Sequence, residues 1–136
     1  MAFLLDTNIV SELRRGVRCD ARVRRWAEEV DDSQFHISVL TLGEIRAGVE
    51  AARGKDPVKA ASIERWLHET IRRFLGKTHD VTKSIVERWG RLLPGQKLPA
   101  VDALIAATAL EHGLTVVTRN VRDFERMGVP ILDPWE

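Results

Sequence analysis

The stretch VDALIAATALEHGLTVVT, residues 101–118, decides the fold class. Residues 101–110 are rich in Ala and Leu, which favour a helix, and Gly113 is the residue type that most often ends one. Residues 114–118 are mostly β-branched and are followed by the polar pair that starts at Arg119, which predicts a strand. The stretch therefore predicts a helix that leads directly into a strand.

Helical and strand patterns alternate along the rest of the chain. Further strands are predicted at residues 2–5, 35–38, 78–81 and 131–132. Further helices are predicted at residues 9–14, 23–30, 42–53, 63–75 and 85–93. Strands separated by helices need crossover connections, so we expect an α/β fold with a mostly parallel central sheet flanked by helices. The length and the absence of a linker predict a single domain over residues 1–136.

Composition limits the class of protein. The sequence is 44% hydrophobic and 30% charged, with a formal net charge of +1, which is typical of a globular protein without a global basic field. Cys19 is the only cysteine, so an internal disulfide and a cysteine zinc cluster are excluded. The apolar residues 1–5 stop at Asp6, and no apolar run reaches the roughly 18–20 residues that span a bilayer. We therefore expect a cytoplasmic protein with no membrane partner.

Six arginines lie within residues 14–25. This local group is either a patch that contacts phosphates or the solvated face of a helix, and the sequence leaves both interpretations open. The four histidines are far apart in the sequence and do not predict the paired histidines of a metal-free ribonuclease.

Polar side chains follow several of the predicted strands. Asp6 comes directly after the first strand, and Glu44 lies about one turn into the helix after the second. Asp102 begins a helix, and Asn120 and Asp123 follow the strand at the end of the opening stretch. In an open parallel sheet, ligands bind at the carboxyl ends of the strands. Hard oxygen ligands without cysteine or grouped histidine are those that magnesium or manganese prefers.

Each of these acids also has a purely structural interpretation. Asp6 and Asp102 are good helix N-cap residues, because aspartate accepts hydrogen bonds from free N–H groups and offsets the helix dipole. Glu44 and Asp123 each lie near arginines in the sequence, with which they could pair on the surface. The residues alone leave the metal site and the structural roles open.

Four segments resemble the motifs of PIN-domain nucleases, in the same order. They are LLDTNIVSE at 4–12, SVLTLGEIRAG at 38–48, DALIAATA at 102–109 and VTRNVRDF at 117–124. Together they extend over nearly the whole chain. The sequence is most similar to the VapC-type toxins, and FitB-like members of that group share its Pro-Trp ending at 134–135.

The resemblance implies a Mg²⁺-dependent endoribonuclease, with Mn²⁺ as a substitute, that is the toxin of a toxin–antitoxin pair. It implies that catalysis and metal binding depend on Asp6, Glu44, Asp102 and Asp123. It implies that the substrate is contacted by Asn8, Thr118, Asn120, Arg46 and Arg119. The implied partners are RNA, a small VapB-like antitoxin and a second copy of the chain, in a homodimer or a larger complex with the antitoxin. Trp135, in the tail, is a candidate for packing at a subunit interface.

Two other functions remain open. A dehalogenase-like or receiver-like phosphotransfer domain would also place Asp6 after its first strand, but the former expects an acid where Asn8 stands. The latter expects a lysine after a late strand, where this chain has Thr118 and Arg119. A catalytically weak PIN-fold module would keep the fold and bind RNA or protein without cleavage. Metal-dependent cleavage of RNA separates these functions.

Overall fold

Strands and helices alternate along the chain in the computed structural model, which describes residues 1–95 and 97–136. The strands are β1 (Phe3–Leu5), β2 (Phe35–Ser38), β3 (Thr78–His79), β4 (Thr115–Val117) and β5 (Ile131–Leu132). The α-helices are α1 (Thr7–Arg14), α2 (Ala21–Glu29), α3 (Val39–Arg53), α4 (Pro57–Arg73), α5 (Lys83–Leu92), α6 (Ala100–His112) and α7 (Val121–Glu125). Two short 3₁₀ helices that the sequence did not predict lie at Gly16–Arg18 and Asp32–Gln34.

The sheet has the strand order β3-β2-β1-β4-β5, and each neighbouring pair is parallel. The predicted parallel sheet with flanking helices is therefore confirmed. The chain builds outward from β1 through β2 to β3, and then returns to the other side of β1 to form β4. This reversal makes the carboxyl ends of β1 and β4 a switch point, which is where open α/β sheets place their ligands.

The core has two parts, one on each face of the sheet. Successive strand residues point to opposite faces, so Leu5 packs against Ile9 and Val23 of the α1–α2 side. Leu4 packs on the opposite side against Ala106 of α6 and Phe124 of α7. Both faces of β1 are thus buried, which fixes the backbone that leads into the switch point.

The helix predicted at 63–75 begins earlier than its apolar pattern indicated. The structure begins α4 at Pro57, six residues before the predicted start. The Asp56 carboxylate accepts a hydrogen bond from the Lys59 N–H at 3.0 Å, and Pro57 occupies the first turn, where it costs no helical hydrogen bond. Two helices therefore meet at a short turn, and α3 and α4 pack against each other as a hairpin.

The apolar stripe of α4 serves mainly the interior. Leu67 and Phe74 are buried, while Ile71 and Leu75 are exposed on the same helix and just after it. Within residues 1–95 and 97–136, no helix is both long and apolar enough to cross a membrane.

Candidate active site

Asp6 lies at the switch point, directly after β1. Its N–H donates to the Val117 carbonyl at 2.9 Å, which extends the pairing of β1 with β4. Its carboxylate Oδ1 accepts the Thr7 N–H at 2.8 Å and so caps α1. Only 6% of the residue is exposed. Asp6 therefore has the structural role that its sequence position allowed, and its second oxygen remains for other partners.

The second oxygen of Asp6 is held by neutral donors from two segments. Thr118 donates its hydroxyl to Asp6 Oδ2 at 2.8 Å, and Asn8 donates its amide N–H to the same oxygen at 3.2 Å. The Thr118 hydroxyl in turn accepts the Asn120 N–H at 2.9 Å, and Asn8 Oδ1 accepts the Arg119 N–H at 3.4 Å. This network joins the carboxyl ends of β1 and β4.

Asn120 connects Asp102 and Asp123. Its amide nitrogen donates to Asp102 Oδ2 and to Asp123 Oδ2, each at 3.0 Å. Asp102 lies in the first turn of α6, but the N-cap residue is Pro99, so Asp102 is not the cap that the sequence allowed. Asp123, in α7, faces Asn120 and forms no ion pair within the described chain. Both acids thus point toward one amide.

Glu44 approaches from α3. The Thr7 hydroxyl donates to Glu44 Oε1 at 2.6 Å and lies 3.0 Å from the Thr41 hydroxyl. The arginines near Glu44 in the sequence, Arg46 and Arg53, pair instead with other glutamates. The surface ion pair considered for Glu44 is therefore not formed, and its carboxylate adjoins the start of α1.

Burial and repulsion between carboxylates raise the pKa of Asp6 and of Asp102. Burial, followed by the charges of Asp6 and Asp123, raises the pKa of Asp102 to about 6. Burial, with a smaller contribution from Glu44, also raises the pKa of Asp6, although hydrogen bonds from its neighbours oppose the shift. Across the described chain, none of these four acids forms an ion pair with lysine or arginine. The cluster is therefore short of positive charge.

The chemistry of this donor set fits a hard divalent cation. Carboxylate oxygens in excess of positive charge are what Mg²⁺ and Mn²⁺ bind, and such a cation would offset the repulsion that, after burial, contributes to the raised pKa of Asp102. In residues 1–95 and 97–136, no three acidic, histidine or cysteine side chains already converge as a ligand group. Hydrogen-bond donors instead stand between the acids, with Thr7 beside Glu44 and Asn120 between Asp102 and Asp123.

The residues predicted to contact substrate fall into two places. Asn8, Thr118, Asn120 and Arg119 all belong to the hydrogen-bonded network of the acids. Arg46 instead projects from α3 toward α4, where it pairs with Glu64, and it also pairs with Glu50 of its own helix.

Two residues of the site were missed by the sequence analysis. Thr7 and Thr41 bond to each other, and Thr7 also bonds to Glu44. Thr7 lies between Asp6 and Asn8 in the first motif, and this position was the available signal. Trp135, for which the sequence suggested a subunit interface, is 7% exposed in the α1–α2 core of its own chain, with the Arg119 guanidinium carbon 4.9 Å from the centre of its ring.

The expectation that the histidines are unpaired was wrong. His36 Nδ1 and His79 Nε2 lie 3.0 Å apart, and the rings of His79 and His112 are 4.2 Å apart between centres. The pairing of β2 with β3 brings the first two together, which their separation in sequence could not indicate. His112 ends α6 while Asp102 lies in its first turn, so about 15 Å of helix separates the two clusters.

The fold and site define an α/β domain with an acidic cluster at a sheet switch point, and comparison with known proteins names its class. The profile of the PIN domain family matches residues 3–130. The plasmid stability protein StbB of Pseudomonas syringae pv. tomato is 31% identical over 137 residues, which is 98% of each chain. The VapC ribonuclease Y4jK of Sinorhizobium fredii is 30% identical over 138 residues, covering 98% of this chain and 97% of that protein.

A solved structure has the same fold. The crystal structure of FitAcB from Neisseria gonorrhoeae superimposes with a TM-score of 0.87 at 28% identity, covering 98% of this chain and 99% of that one. The protein belongs to the PIN domain family.

Proposed function

We propose that the protein is a magnesium-dependent endoribonuclease that acts as the toxin of a toxin–antitoxin pair. One observation carries the proposal: acids from four separate segments lie around the switch point of the sheet, and none of them has a lysine or arginine partner among residues 1–95 and 97–136. These acids are Asp6, Glu44, Asp102 and Asp123. The similarity to a protein named VapC ribonuclease, which extends along nearly the full length of both chains, supports the reaction class.

The acids would hold the metal. Asp6 and Asp102 are the proposed direct ligands, with Glu44 and Asp123 completing the charge, and Mn²⁺ would substitute for Mg²⁺. A bound divalent ion supplies Lewis-acid stabilisation of phosphate charge and lowers the pKa of a coordinated water. The neutral side chains already orient the acids: Thr118 and Asn8 fix one oxygen of Asp6.

The remaining chemistry belongs to side chains around the acids. Water adds to phosphorus and the bond to the 3′ oxygen breaks, which leaves a 5′-phosphate and a 3′-hydroxyl. Glu44 would accept the proton that the water loses, since its carboxylate adjoins the acids and is not neutralised by an arginine. Arg119 would contact a phosphate of the RNA through its free guanidinium. Arg46 would contribute less, because reaching RNA requires it to leave Glu64.

An antitoxin is the proposed protein partner. A groove lies between α1 and α4, with apolar walls formed by Val10, Leu13, Trp66 and Phe74 and with Arg14 at its rim. A groove of this kind suits an amphipathic segment of a small protein. A solved toxin–antitoxin complex from Klebsiella pneumoniae, to which this chain is similar at 29% identity with a TM-score of 0.74, supports a partner of this type. We also propose a homodimer, alone or within a larger complex with the antitoxin, and a cytoplasmic site of action.

The proposal is tested by cleavage of total cellular RNA with the purified protein free of antitoxin. We expect discrete fragments in Mg²⁺, and intact RNA after chelation or with the Asp102→Asn variant. Glu64→Gln is the matched control, because it also neutralises one carboxylate but lies on the α3–α4 surface. It should cut as well as the unsubstituted protein, and mapping of the fragment ends should show 5′-phosphates.

Intact RNA from a folded protein in Mg²⁺ would overturn the proposal and favour the catalytically weak module. Fragments that persist after chelation, or in the Asp102→Asn variant, would overturn the metal site.

A further inference from the structure

The C-terminal tail closes against the end of β4 beside the acids. The Thr118 N–H donates to the Leu132 carbonyl at 3.1 Å, which continues the pairing of β4 with β5 past the last strand residue. At the next residue, Asp133 Oδ1 accepts the Trp135 N–H at 2.9 Å, so the tail turns back toward the domain. Trp135 is thereby inserted into the core, although it is the second-last residue of the chain.

The exposed guanidinium of Arg119 lies over the face of the Trp135 indole. The guanidinium carbon of Arg119 lies 4.9 Å from the ring centre, within the range of a cation–π interaction. Arg119 directly follows Thr118, whose hydroxyl holds Asp6. The backbone of Arg119 is tied as well, because its N–H donates to Asn8 at 3.4 Å.

The guanidinium of Arg119 keeps its charge available. Within residues 1–95 and 97–136, no carboxylate pairs with Arg119, whereas Arg46 pairs with Glu50 and Glu64. A guanidinium that stacks through its face still presents its N–H groups at its edge, where they match two oxygens of one phosphate.

We propose that Trp135 is a positioning residue for RNA: it fixes Arg119 beside the acids so that the guanidinium meets a phosphate next to the scissile one. This inference rests on the proposed function. The stack supplies attraction, and it also removes side-chain freedom that Arg119 would otherwise lose on binding RNA. The tail residue thus contributes to affinity without touching the substrate.

The chain contains a matched stack for comparison. The guanidinium carbon of Arg14 lies 4.7 Å from the ring centre of Trp66, and Arg14 also donates to Ser62 at 2.9 Å. This second stack joins α1 to α4 and has no bond to the acids. Loss of the Trp66 ring removes a similar interaction and a similar amount of apolar surface, so it controls for stability effects.

The test is binding of a fluorescein-labelled, mixed-sequence single-stranded RNA, followed by anisotropy in Ca²⁺, which has the same oxygen-ligand chemistry as Mg²⁺. We expect Trp135→Leu to raise the Kd about three- to thirty-fold, the range of one cation–π contact, and Trp135→Phe to restore most of the affinity. Trp66→Leu should leave the Kd within about twofold, since the Trp66 stack has no bond to the acids. In an Arg119→Ala background, Trp135→Leu should add nothing further, because its effect acts through Arg119.

The stack itself has a readout that does not involve RNA. The Nε–H resonance of Arg119 in a ¹⁵N spectrum should move when Trp135 becomes Phe or Leu, and should not move when Trp66 does. This measurement applies to Trp135→Phe even if the leucine variant fails to fold.

The possible outcomes distinguish failure of the Trp135 positioning role from failure of the proposed nuclease function. Equal affinity of the unsubstituted protein and the folded Trp135 variants would overturn the positioning role while leaving the nuclease proposal standing. A further loss of affinity from Trp135→Leu in the Arg119→Ala background would also overturn it, since the tryptophan would then act by another route. No RNA binding by the unsubstituted protein would overturn the inference and the proposed function together.

Discussion

The carboxylates between α3 and α4 are neutralised by arginines of the same chain, whereas those at the carboxyl ends of β1 and β4 are not. Arg46 and Arg53 pair with Glu50 and Glu64, and these contacts hold the pKa of both glutamates below its usual value. At the carboxyl ends of β1 and β4, burial and the neighbouring acids raise the pKa of Asp102 to about 6. Both groups are carboxylates, but one is next to positive charge and the other is next to negative charge.

This difference separates carboxylates with an arginine partner from carboxylates without one. Among residues 1–95 and 97–136, every donor to Asp6 and Asp102 is a hydroxyl, an amide or a backbone N–H, none of which carries a charge. Neutral donors orient a carboxylate but compensate its charge only in part. The proposed Mg²⁺ would supply the positive charge that the acids at the carboxyl ends of β1 and β4 lack, while arginines already supply it to the α3–α4 glutamates.

The largest expected difference concerns catalysis. Asp6→Asn should lower RNA cleavage at least about 1,000-fold, because loss of metal-ion stabilisation costs several kcal/mol, whereas Glu64→Gln should stay within about twofold. Asparagine still caps a helix, so the variant should fold. Initial cleavage rates, with circular dichroism to verify folding, measure this. Comparable losses in both variants would remove the distinction between the two groups of acids.

A second substitution adds a negative charge to the acids at the carboxyl ends of β1 and β4. Asn120→Asp replaces the amide that donates to Asp102 and Asp123 with another carboxylate. We expect the metal-free variant to lose about 1–3 kcal/mol of unfolding free energy, because two hydrogen bonds are replaced by repulsion. Millimolar Mg²⁺ should recover most of this loss. Urea unfolding in chelator and in Mg²⁺ measures both values, with Asn120→Ser as a neutral control; unchanged stability in chelator would count against the repulsion.

The third prediction concerns pH. The pKa of Asp102 is about 6 in the fold and 3.8 in the reference state, so the folded protein binds this proton more tightly. The associated stability is present below pH 4 and is lost as the pH rises to about 6. Metal-free Asp102→Asn should therefore be more stable than the unsubstituted protein at pH 7, by about 1–2 kcal/mol after discounting for partial exposure.

Below pH 4 the same two proteins should have equal stability. Comparing them at each pH cancels the titration of the other acids, and urea unfolding at both pH values provides the measurement. A difference that is the same at pH 4 and pH 7 would mean that the substitution acts through packing and not through charge.

The smallest effect is expected on the α3–α4 surface. Glu64→Gln removes an exposed carboxylate from a network in which Arg53 retains Glu50 as its partner. Its Tm should change by less than about 2 °C in low salt and by less in 0.5 M NaCl, because solvent and salt screen exposed pairs. Thermal unfolding at the two salt concentrations measures this, and a large shift that is insensitive to salt would show that the pair does more than balance surface charge.

Most of the fold could be predicted because local patterns determine it. The strand at Phe35–Ser38 has the predicted bounds, and β4 lies within the predicted 114–118. The predicted start of α4 was wrong because Asp and Pro occur in loops and also at the first positions of helices, as Asp56 and Pro57 do here. The element types were thus easier to predict than the boundaries, where cap and turn residues overlap.

Site residues could be predicted only where their position directly after a strand determines where they lie. Asp6 and Thr118 follow paired strands, so the sheet alone brings them together. The contact between His36 and His79 depends on strand register, and the burial of Trp135 depends on how the tail turns. Neither leaves a local pattern in the sequence, because both depend on long-range packing.

The most direct test of the account is calorimetric titration of Mg²⁺ into the metal-free protein and its Asp102→Asn and Glu64→Gln variants. The account predicts binding by the unsubstituted protein and by Glu64→Gln, and strongly weakened binding by Asp102→Asn. It also predicts more proton release at pH 6 than at pH 8, since Asp102 is partly protonated at the lower pH. A folded protein that binds no Mg²⁺, or an Asp102→Asn variant that binds as tightly as the unsubstituted protein, would contradict the proposal that the acids at the carboxyl ends of β1 and β4 bind a divalent cation.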